Sequence, residues 1–233
     1  MNVELIKTFR IEAAHRNTSS RGAGARLHGH TFRIDIVAEG EVDPVMGWLI
    51  DYGDIKSLFR PIMDQLDHHY LNEIPGMGDA SLASVAAWIE ARFRPALPCL
   101  KTVRVSVMGE NAFRPIVLDA SPEEELPRRV RFSFEAAQQL PHLADTHPCH
   151  RLHGHSYRVE VAAADLERLT AALREIHRAL DHLYLNEIEG LEDATSERLC
   201  EWIWRRLARG EVDDVQCIIV QETETARCIY YGR

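Results

Sequence analysis

The second half of this chain repeats the first, and this duplication constrains the fold more than any other feature. The pentapeptide RLHGH occurs at residues 26–30 and again at residues 151–155. The block LDHHYLNEI at residues 66–74 returns as LDHLYLNEI at residues 180–188. Two shorter blocks recur in the same order: residues 9–14 with residues 132–137, and residues 88–89 with residues 202–203. Self-similarity in a conserved order indicates a tandem duplication, so each half should fold into the same unit.

The length agrees with two such units. The chain has 233 residues, and domains usually take about 100–200 residues. Residues 119–129 contain two prolines and a run of charged residues without apolar periodicity, which is typical of a linker. We therefore predict a first unit at residues 1–120, a linker at residues 121–129 and a second unit at residues 130–233.

The predicted elements follow the same order in both halves. In the first half, alternating apolar residues at 5–12 and 31–39 favour strands, and residues 54–67 and 81–93 have helical spacing. A further strand is expected at residues 102–107, followed by a final one. The corresponding segments of the second half are residues 130–136, 156–162, 166–180, 196–207 and 215–221. This order predicts an α+β fold, each unit being an antiparallel four-stranded sheet with two helices on one face.

Composition and charge exclude several classes of protein. The net charge of −9 argues against nucleic acid as the main partner, because binding a polyanion needs a basic face. No apolar stretch reaches the roughly 18 residues that span a bilayer, and the N-terminus has no apolar region of a secretory signal. The five cysteines show no CxxC spacing. We therefore expect a reduced, cytoplasmic protein without a membrane or nucleic-acid partner.

The repeated HGH triplets carry candidate metal ligands. His28 and His30 lie two residues apart on a predicted strand, so their side chains share one face. His15, at the end of the preceding strand, can supply a third imidazole. Three histidines with an open fourth position form the usual catalytic zinc site, although three histidines also accept other divalent ions. A lone HxH would indicate only surface histidines, but its recurrence favours a metal.

A second candidate site is the pair Asp67 and His68, at the end of a predicted helix. An aspartate beside a histidine can orient the imidazole as a general acid or base. The alternative is a helix cap in which the histidine contacts the helix dipole. The second half keeps the pair as Asp181 and His182 but replaces the following histidine by leucine. This favours the first two residues as the working pair.

Together, the FEAA(H)-type blocks IEAAH and FEAAQ, the CxxxHGH block, LDHxYLNE and the late VQET resemble the 6-pyruvoyltetrahydropterin synthase / 6-carboxytetrahydropterin synthase family over nearly the whole chain, twice. The resemblance implies two tandem tunnelling-fold (T-fold) units, which assemble edge to edge into barrels. It also implies a homo-oligomer, because isolated units leave sheet edges open. Two chains could close a four-unit barrel, or three chains could build two stacked three-unit barrels.

The resemblance implies a substrate, 7,8-dihydroneopterin triphosphate, and a set of site residues. Zn²⁺ is held by three histidines, a cysteine acts as base, an Asp-His pair from a neighbouring unit assists, and a glutamate anchors the pterin ring. In the first half, His15, His28 and His30 match the zinc ligands. Gly24 stands where the cysteine is expected, and Glu110 is the candidate anchor, one residue later than the usual spacing.

The second half matches a different part of the family pattern. Cys149, the Asp181-His182 pair and Glu222 are in place, and His153 and His155 match two zinc ligands, but Gln138 replaces the third. An amide oxygen is a poor zinc ligand beside imidazole. Three explanations stay open. The second half holds zinc through another group (Gln138, Cys149, His142, His147 or His150), one class of site works with residues shared between halves, or both sites have lost activity.

The spacing of Cys149 before His153 resembles the bacterial 6-carboxytetrahydropterin synthases of queuosine biosynthesis. That resemblance implies 6-carboxytetrahydropterin, acetaldehyde and triphosphate as products. Arg26, Arg151 and Lys7 are candidates for contacting the triphosphate. The alternatives are a catalytically degenerate tandem that binds pterin or metal, and a 6-pyruvoyltetrahydropterin synthase-like lyase of another pterin pathway.

Overall fold

Two antiparallel sheets, each backed by helices, form the frame of the molecule in this computed structural model, which describes residues 1–110, 112–210 and 212–232. The first half contains β1 (Asn2–His15), β2 (His28–Glu41), α1 (Tyr52–Leu66), α2 (Leu82–Phe93) and β3 (Leu100–Val107). There follow β4 (Ile116–Leu118), β5 (Arg129–Gln138), β6 (His153–Ala163), α3 (Leu166–Leu180), β7 (Leu183–Tyr184), α4 (Ser196–Arg209), β8 (Val215–Thr223) and β9 (Ala226–Tyr230).

The helices form where a capping residue is followed by apolar side chains at helical spacing. In α1 the buried side chains Ile55, Phe59, Ile62 and Leu66 recur at helical spacing and pack on the first sheet. Asp51 caps this helix by accepting a hydrogen bond from the backbone N–H of Gly53. The helix ends at Leu66, so Asp67 is directed back towards the sheet.

The prediction of an α+β fold with antiparallel sheets and four helices is confirmed for the described residues. The prediction of four strands in each sheet is wrong, because the first described sheet has three strands and the second has six. The first sheet has the order β1-β2-β3. The segment after β3 forms β4, which pairs with β5 of the other half. β5 has a free edge whose backbone N–H and C=O groups can form hydrogen bonds with β4. The second sheet therefore has the order β4-β5-β6-β8-β9, with the two-residue β7 beside β5.

None of the described helices is long and apolar enough to cross a membrane. The division of the chain at residues 120 and 130 stays a prediction.

The two halves meet where β2 and β6 begin, at the glycines of the two HGH triplets. A Cβ atom built on Gly29 would lie 2.3 Å from the Cα atom of Gly154, and the reverse distance is the same. Beside them, the backbone N–H of Thr31 donates to Ser156 Oγ (3.1 Å), and the N–H of Ser156 donates to Thr31 Oγ1 (3.2 Å). These reciprocal contacts relate the halves by an approximate two-fold axis, and they leave no room for a side chain at either glycine.

Replacing Gly29 by alanine is expected to lower the free energy of unfolding by about 1–3 kcal/mol, the usual cost of overpacking a close contact. The added methyl group would meet backbone atoms of both halves, which cannot turn aside as a side chain would. Urea unfolding measures the effect. Gly210→Ala is the control, because its Cβ atom would make only ordinary contacts, at 3.5 Å. Equal stability of the two variants would contradict the close approach of the halves.

Candidate active site

Three buried histidines of the first half converge at the paired ends of β1 and β2. His15 lies opposite His28 in the sheet register, and His30 is on the same face of β2. The three rings are at most 4% exposed, and their ligand atoms lie within 4.8 Å of one another. Their Nδ1 atoms bond, in order, to Ala80 O (2.7 Å), Arg26 O (2.8 Å) and Glu135 Oε2 (2.5 Å).

This geometry fits a divalent metal ion. Because each Nδ1 atom donates to an oxygen, each Nε2 atom keeps its lone pair, and these lone pairs face one another. The Nε2 atoms of His15 and His28 are 3.0 Å apart, and two nitrogens bound to one tetrahedral zinc are roughly 3.3 Å apart. Burial, with a further contribution from neighbouring imidazoles, lowers the pKa of His15 to about 4, of His28 to about 2 and of His30 to about 3. The imidazoles are therefore neutral at pH 7, as metal ligands must be.

The second half has a cluster at the equivalent position, with similar hydrogen bonds to the histidines but different side chains around them. The Nδ1 atom of His153 donates to Arg151 O (2.7 Å), and that of His155 to Glu12 Oε2 (2.9 Å), which mirrors the first half. Glu222 completes the cluster, with Oε1 3.1 Å from His155 Nε2. Gln138, which occupies the position of His15, donates its amide N–H to the same carboxylate.

Two carboxylates bracket the imidazole of His155 and change its charge. Burial by itself would lower the pKa of His155, but the hydrogen bonds with Glu12 and Glu222 outweigh it and raise the pKa to about 10. Burial opposes ionisation of Glu222 as well, but its bond with His155 lowers the pKa to about 2. The second centre therefore holds an ion pair, whereas the first holds three neutral imidazoles.

Each cluster faces the Asp-His pair of the opposite half. The ring centroid of His182 lies 4.5 Å from that of His28, and the centroid of His68 lies 4.7 Å from that of His153. Both His68 and His182 have a left-handed backbone, with φ of 55° and 54°, which is uncommon for residues with a Cβ atom. Asp67 does stand at the C-cap of α1, but its Oδ2 atom also lies 3.1 Å from His68 Nδ1, as an ion pair.

Cys149 lies at the second cluster, beside the histidine supplied by the first half. Its sulfur, a nitrogen of His68 and a nitrogen of His153 are within 4.8 Å of one another. Burial opposes protonation of His68, but the neighbouring Asp67 carboxylate and Cys149 thiol raise its pKa to about 9. A thiol, an imidazolium and a carboxylate therefore lie close together. The other three candidate metal ligands are bonded to other groups. His142 Nδ1 bonds to Asp193, His147 Nδ1 accepts from the Cys149 N–H, and His150 Nδ1 bonds to Leu143 O.

The sheet register shows which residue of the first half corresponds to Glu222. Arg33 pairs with Ser106, and its equivalent Arg158 pairs with Gln221, so the following residues, Val107 and Glu222, occupy equivalent places. The first cluster therefore has no carboxylate at this place. Glu110, the predicted counterpart, lies three residues further on, in a cleft between the halves that Glu222 also lines.

This cleft is lined by charged residues of both signs. Its lining includes four glutamates and four arginines: Glu12, Glu110, Glu222 and Glu224, with Arg10, Arg114, Arg131 and Arg158. Arg10 is paired with Glu224. The arginines suggested by the sequence lie elsewhere: the Arg151 side chain donates to His68 O (2.8 Å), and the Arg26 side chain to Asp181 O (3.4 Å). Each of these arginines thus holds the backbone of an Asp-His pair that faces the cluster of the opposite half. Lys7 lies over the ring of Tyr52.

Sequence reasoning missed the two carboxylates that contact the histidines from across the halves. Glu12 bonds to His155, and Glu135 bonds to His30. Both belong to the repeated block with the sequence EAA, and their recurrence was the available signal. It did not reveal their role, because each partner lies more than 100 residues away in the chain.

Comparison with known proteins links both halves to one group. The 6-pyruvoyl tetrahydropterin synthase family matches residues 4–114 and 128–233. A 6-carboxy-5,6,7,8-tetrahydropterin synthase of Synechocystis sp. is 39% identical over 117 residues, which cover 43% of this chain and 89% of that protein. A dihydroneopterin monophosphate aldolase of Pyrococcus furiosus is 36% identical over 114 residues (48% and 95%). The solved 6-pyruvoyl tetrahydropterin synthase of Caenorhabditis elegans aligns with 46% of this chain and 96% of its own, with a TM-score of 0.41 and 19% identity.

Replacing His15 by glutamine, the residue of the second half, should weaken the acid sensitivity of the metal-free protein. Burial lowers the pKa of His15 from 6.5 to about 4. Between pH 4 and pH 6.5, His15 therefore binds a proton in the unfolded chain but not in the folded chain. Stability thus falls as pH drops from 6.5 towards 4, by about 1.4 kcal/mol per pH unit for one group. The variant should lack this contribution.

Urea unfolding in EDTA at pH 7, 6 and 5 measures the difference, with exposed His142→Gln as the control for losing a histidine. Parallel pH dependence of the wild type and His15→Gln would contradict a buried, neutral His15.

Proposed function

Because this chain belongs to the 6-pyruvoyl tetrahydropterin synthase family, which matches both of its halves, we propose that it is a metal-dependent lyase acting on the side chain of a reduced pterin. Family membership confirms the resemblance found in the sequence, including the tandem duplication. In its finer form, the proposal is a zinc-dependent 6-carboxy-5,6,7,8-tetrahydropterin synthase of queuosine biosynthesis. It would convert 7,8-dihydroneopterin triphosphate to 6-carboxytetrahydropterin, acetaldehyde and triphosphate.

The observation that carries the proposal is the position of the Cys149 sulfur within 4.8 Å of an imidazole nitrogen of His68, which is itself paired with Asp67. Cleavage of a carbon–carbon bond next to a carbonyl group requires protons to be removed and returned at defined atoms. A cysteine beside a protonated imidazole is suited to act as the base. His68, held by Asp67, can return the proton.

The neutral imidazoles of His15, His28 and His30 are the residues that would hold the metal ion. A bound zinc acts as a Lewis acid that polarises hydroxyl and carbonyl oxygens. Asp181 and His182 lie beside these ligands and can hold a proton there. His153 and His155 remain candidate ligands in the second half, with Glu222 as their third neighbour.

The cleft between the halves is the proposed pterin site. Glu222 and Glu110 line it, and carboxylates can accept hydrogen bonds from the amino and ring N–H groups of a pterin, which fixes the ring. The arginines that line the cleft suit a phosphorylated side chain. We also propose a homo-oligomer, because β1 and β3 are the edges of the described first sheet and can pair with another unit. We propose a cytoplasmic location because the five cysteines show no CxxC spacing.

A second candidate function is a tandem that binds a pterin or a metal without turnover. It is favoured because neither half has both the metal-binding histidines and the cysteine. Gly24 stands where the first half would need a thiol, and Gln138 stands where the second half would need a metal ligand. A third is the cleavage of a related pterin, since one relative is an aldolase named for dihydroneopterin monophosphate.

The proposal predicts turnover of 7,8-dihydroneopterin triphosphate by the zinc-loaded protein. We expect mass spectrometry to detect 6-carboxytetrahydropterin, and Cys149→Ala to lower the rate by at least about 100-fold, the usual effect of losing an acid–base group. His28→Ala tests the metal centre in the same assay. Cys99→Ala, which removes a thiol outside both clusters, is the control. Binding of zinc and pterin without any product would instead support the second candidate, and turnover of dihydroneopterin monophosphate alone would support the third.

The exchanged pairs predict which cluster is used. Asp67→Asn should lower kcat if the chemistry occurs at Cys149, because Asp67 orients His68 there, whereas Asp181→Asn acts at the three-histidine cluster. We expect Asp67→Asn to cost about 100-fold or more in kcat. Single-turnover kinetics of the two matched variants provide the measurement. Loss of activity only in Asp181→Asn would place the chemistry at the first cluster and contradict the role given to Cys149.

A further inference from the structure

We propose that Glu135, in the second half, is a positioning residue for the metal centre of the first half, and that this centre is complete only when the two halves are packed together. The inference rests on the proposal that His15, His28 and His30 hold a metal ion. It assigns a role to a carboxylate that does not itself reach the ligand atoms at the centre of the cluster.

The side chain of Glu135 makes the first connection. It is fully buried, and its Oε2 atom accepts a hydrogen bond from His30 Nδ1 (2.5 Å) and another from Ser156 Oγ (2.7 Å). The bond to Nδ1 fixes the tautomer and the orientation of the ring, so that Nε2 points to the other two histidines. A carboxylate in this position also makes the imidazole a stronger electron donor to a metal.

The backbone of the same residue makes the second connection. Its N–H donates to Asp181 Oδ1 (3.0 Å), and its carbonyl oxygen accepts from the backbone N–H of His182 (2.6 Å). These two bonds hold the Asp-His pair whose imidazole lies beside His28. Glu135 therefore acts on the first-half cluster by two routes, through His30 and through His182.

The first half in turn confines the carboxylate. A Cβ atom built on Gly109, in the segment after β3, would lie 1.2 Å from Glu135 Oε1. The backbone of the first half therefore packs directly against the second carboxylate oxygen, and only glycine fits there. With Ser156 on one oxygen and Gly109 against the other, the carboxylate has little freedom to turn away from His30.

The approximate two-fold axis supplies a matched control. Glu12 of the first half accepts a hydrogen bond from His155 Nδ1 (2.9 Å) and one from Thr31 Oγ1 (2.7 Å), and its backbone N–H donates to Asp67 Oδ1 (2.9 Å). It thus repeats the contacts of Glu135 at the second cluster. The same chemical change at Glu12 should leave metal binding by the first half unaltered.

The test is cobalt binding by the full-length, metal-stripped protein, measured by the visible d–d absorption and by competition with a chelator. His28→Ala identifies the signal of the first-half centre as the part that this variant loses. We expect Glu135→Gln to weaken that binding by about 10–100-fold, as is usual for the partner of a metal-bound histidine. Its d–d spectrum should also shift, which a general loss of stability would not produce. Glu12→Gln should leave the affinity and the spectrum of the His28-dependent signal at their wild-type values.

Far-UV circular dichroism and urea unfolding check that each variant is folded. If Glu135→Gln does not fold, Ser156→Ala replaces it, because it removes the hydroxyl that holds the Glu135 side chain and leaves Glu135 itself unchanged; weaker cobalt binding is again expected. Wild-type affinity and spectrum in the folded Glu135 variant, or in Ser156→Ala where that replaces it, would overturn the inference while leaving the metal centre intact. Equal weakening by Glu12→Gln would overturn it too. If the wild type shows no cobalt signal that depends on His28, the proposed metal centre fails and the inference with it.

Discussion

The close contact between Gly29 and Gly154 is the constraint on which the rest of the site depends. Two strands approach so closely that neither residue has room for a Cβ atom. Because a histidine flanks each glycine on both sides, this contact brings the two imidazole clusters to opposite sides of one approximate two-fold axis. The strand that carries the ligands of one half thereby lies against the strand that carries the supporting groups of the other. A single contact without side chains thus determines the environment of four histidines.

The consequence of this packing is that neither centre belongs to one half. Each has histidines from its own β-strands, and an Asp-His pair and a glutamate from the other half. Within each half, a backbone bond (His68 N to Glu12 O, 2.7 Å; His182 N to Glu135 O, 2.6 Å) anchors the Asp-His pair to the strand whose glutamate contacts the same opposite cluster. In a duplicated chain, both partners of such an exchange are present in every molecule, so the arrangement does not depend on protein concentration.

The symmetry of the backbone makes the differences in side chains informative. Three equivalent positions at the two centres differ: His15 with Gln138, Gly24 with Cys149, and Val107 with Glu222. The first cluster therefore has three neutral nitrogen donors but no counterpart of the thiol of Cys149 or of the carboxylate of Glu222. The second has a thiol and an imidazole–carboxylate ion pair, because Glu222 reaches His155 and also accepts from Gln138. The two halves therefore present clusters that differ in their ligand sets and in their charge.

The repeated motifs by themselves determined the duplication, the α+β architecture and most candidate residues, because periodicity and motif spacing are local properties of the chain. His15, His28 and His30 could be grouped from the sequence since i and i+2 share a strand face and an adjacent strand end supplies the third ligand. Local signals could not assign β4, whose pairing depends on which strand edge lies nearest. They also aligned Glu110 with Glu222, because the register of β3 against β2 is set by hydrogen bonds between distant segments.

Only the tertiary structure decided which half serves which cluster. The Asp67-His68 pair, Glu12 and Glu135 contact histidines of the opposite half. Sequence spacing cannot encode such a choice, because either assignment leaves every motif unchanged. The steric fit of two glycine backbones selects one of them.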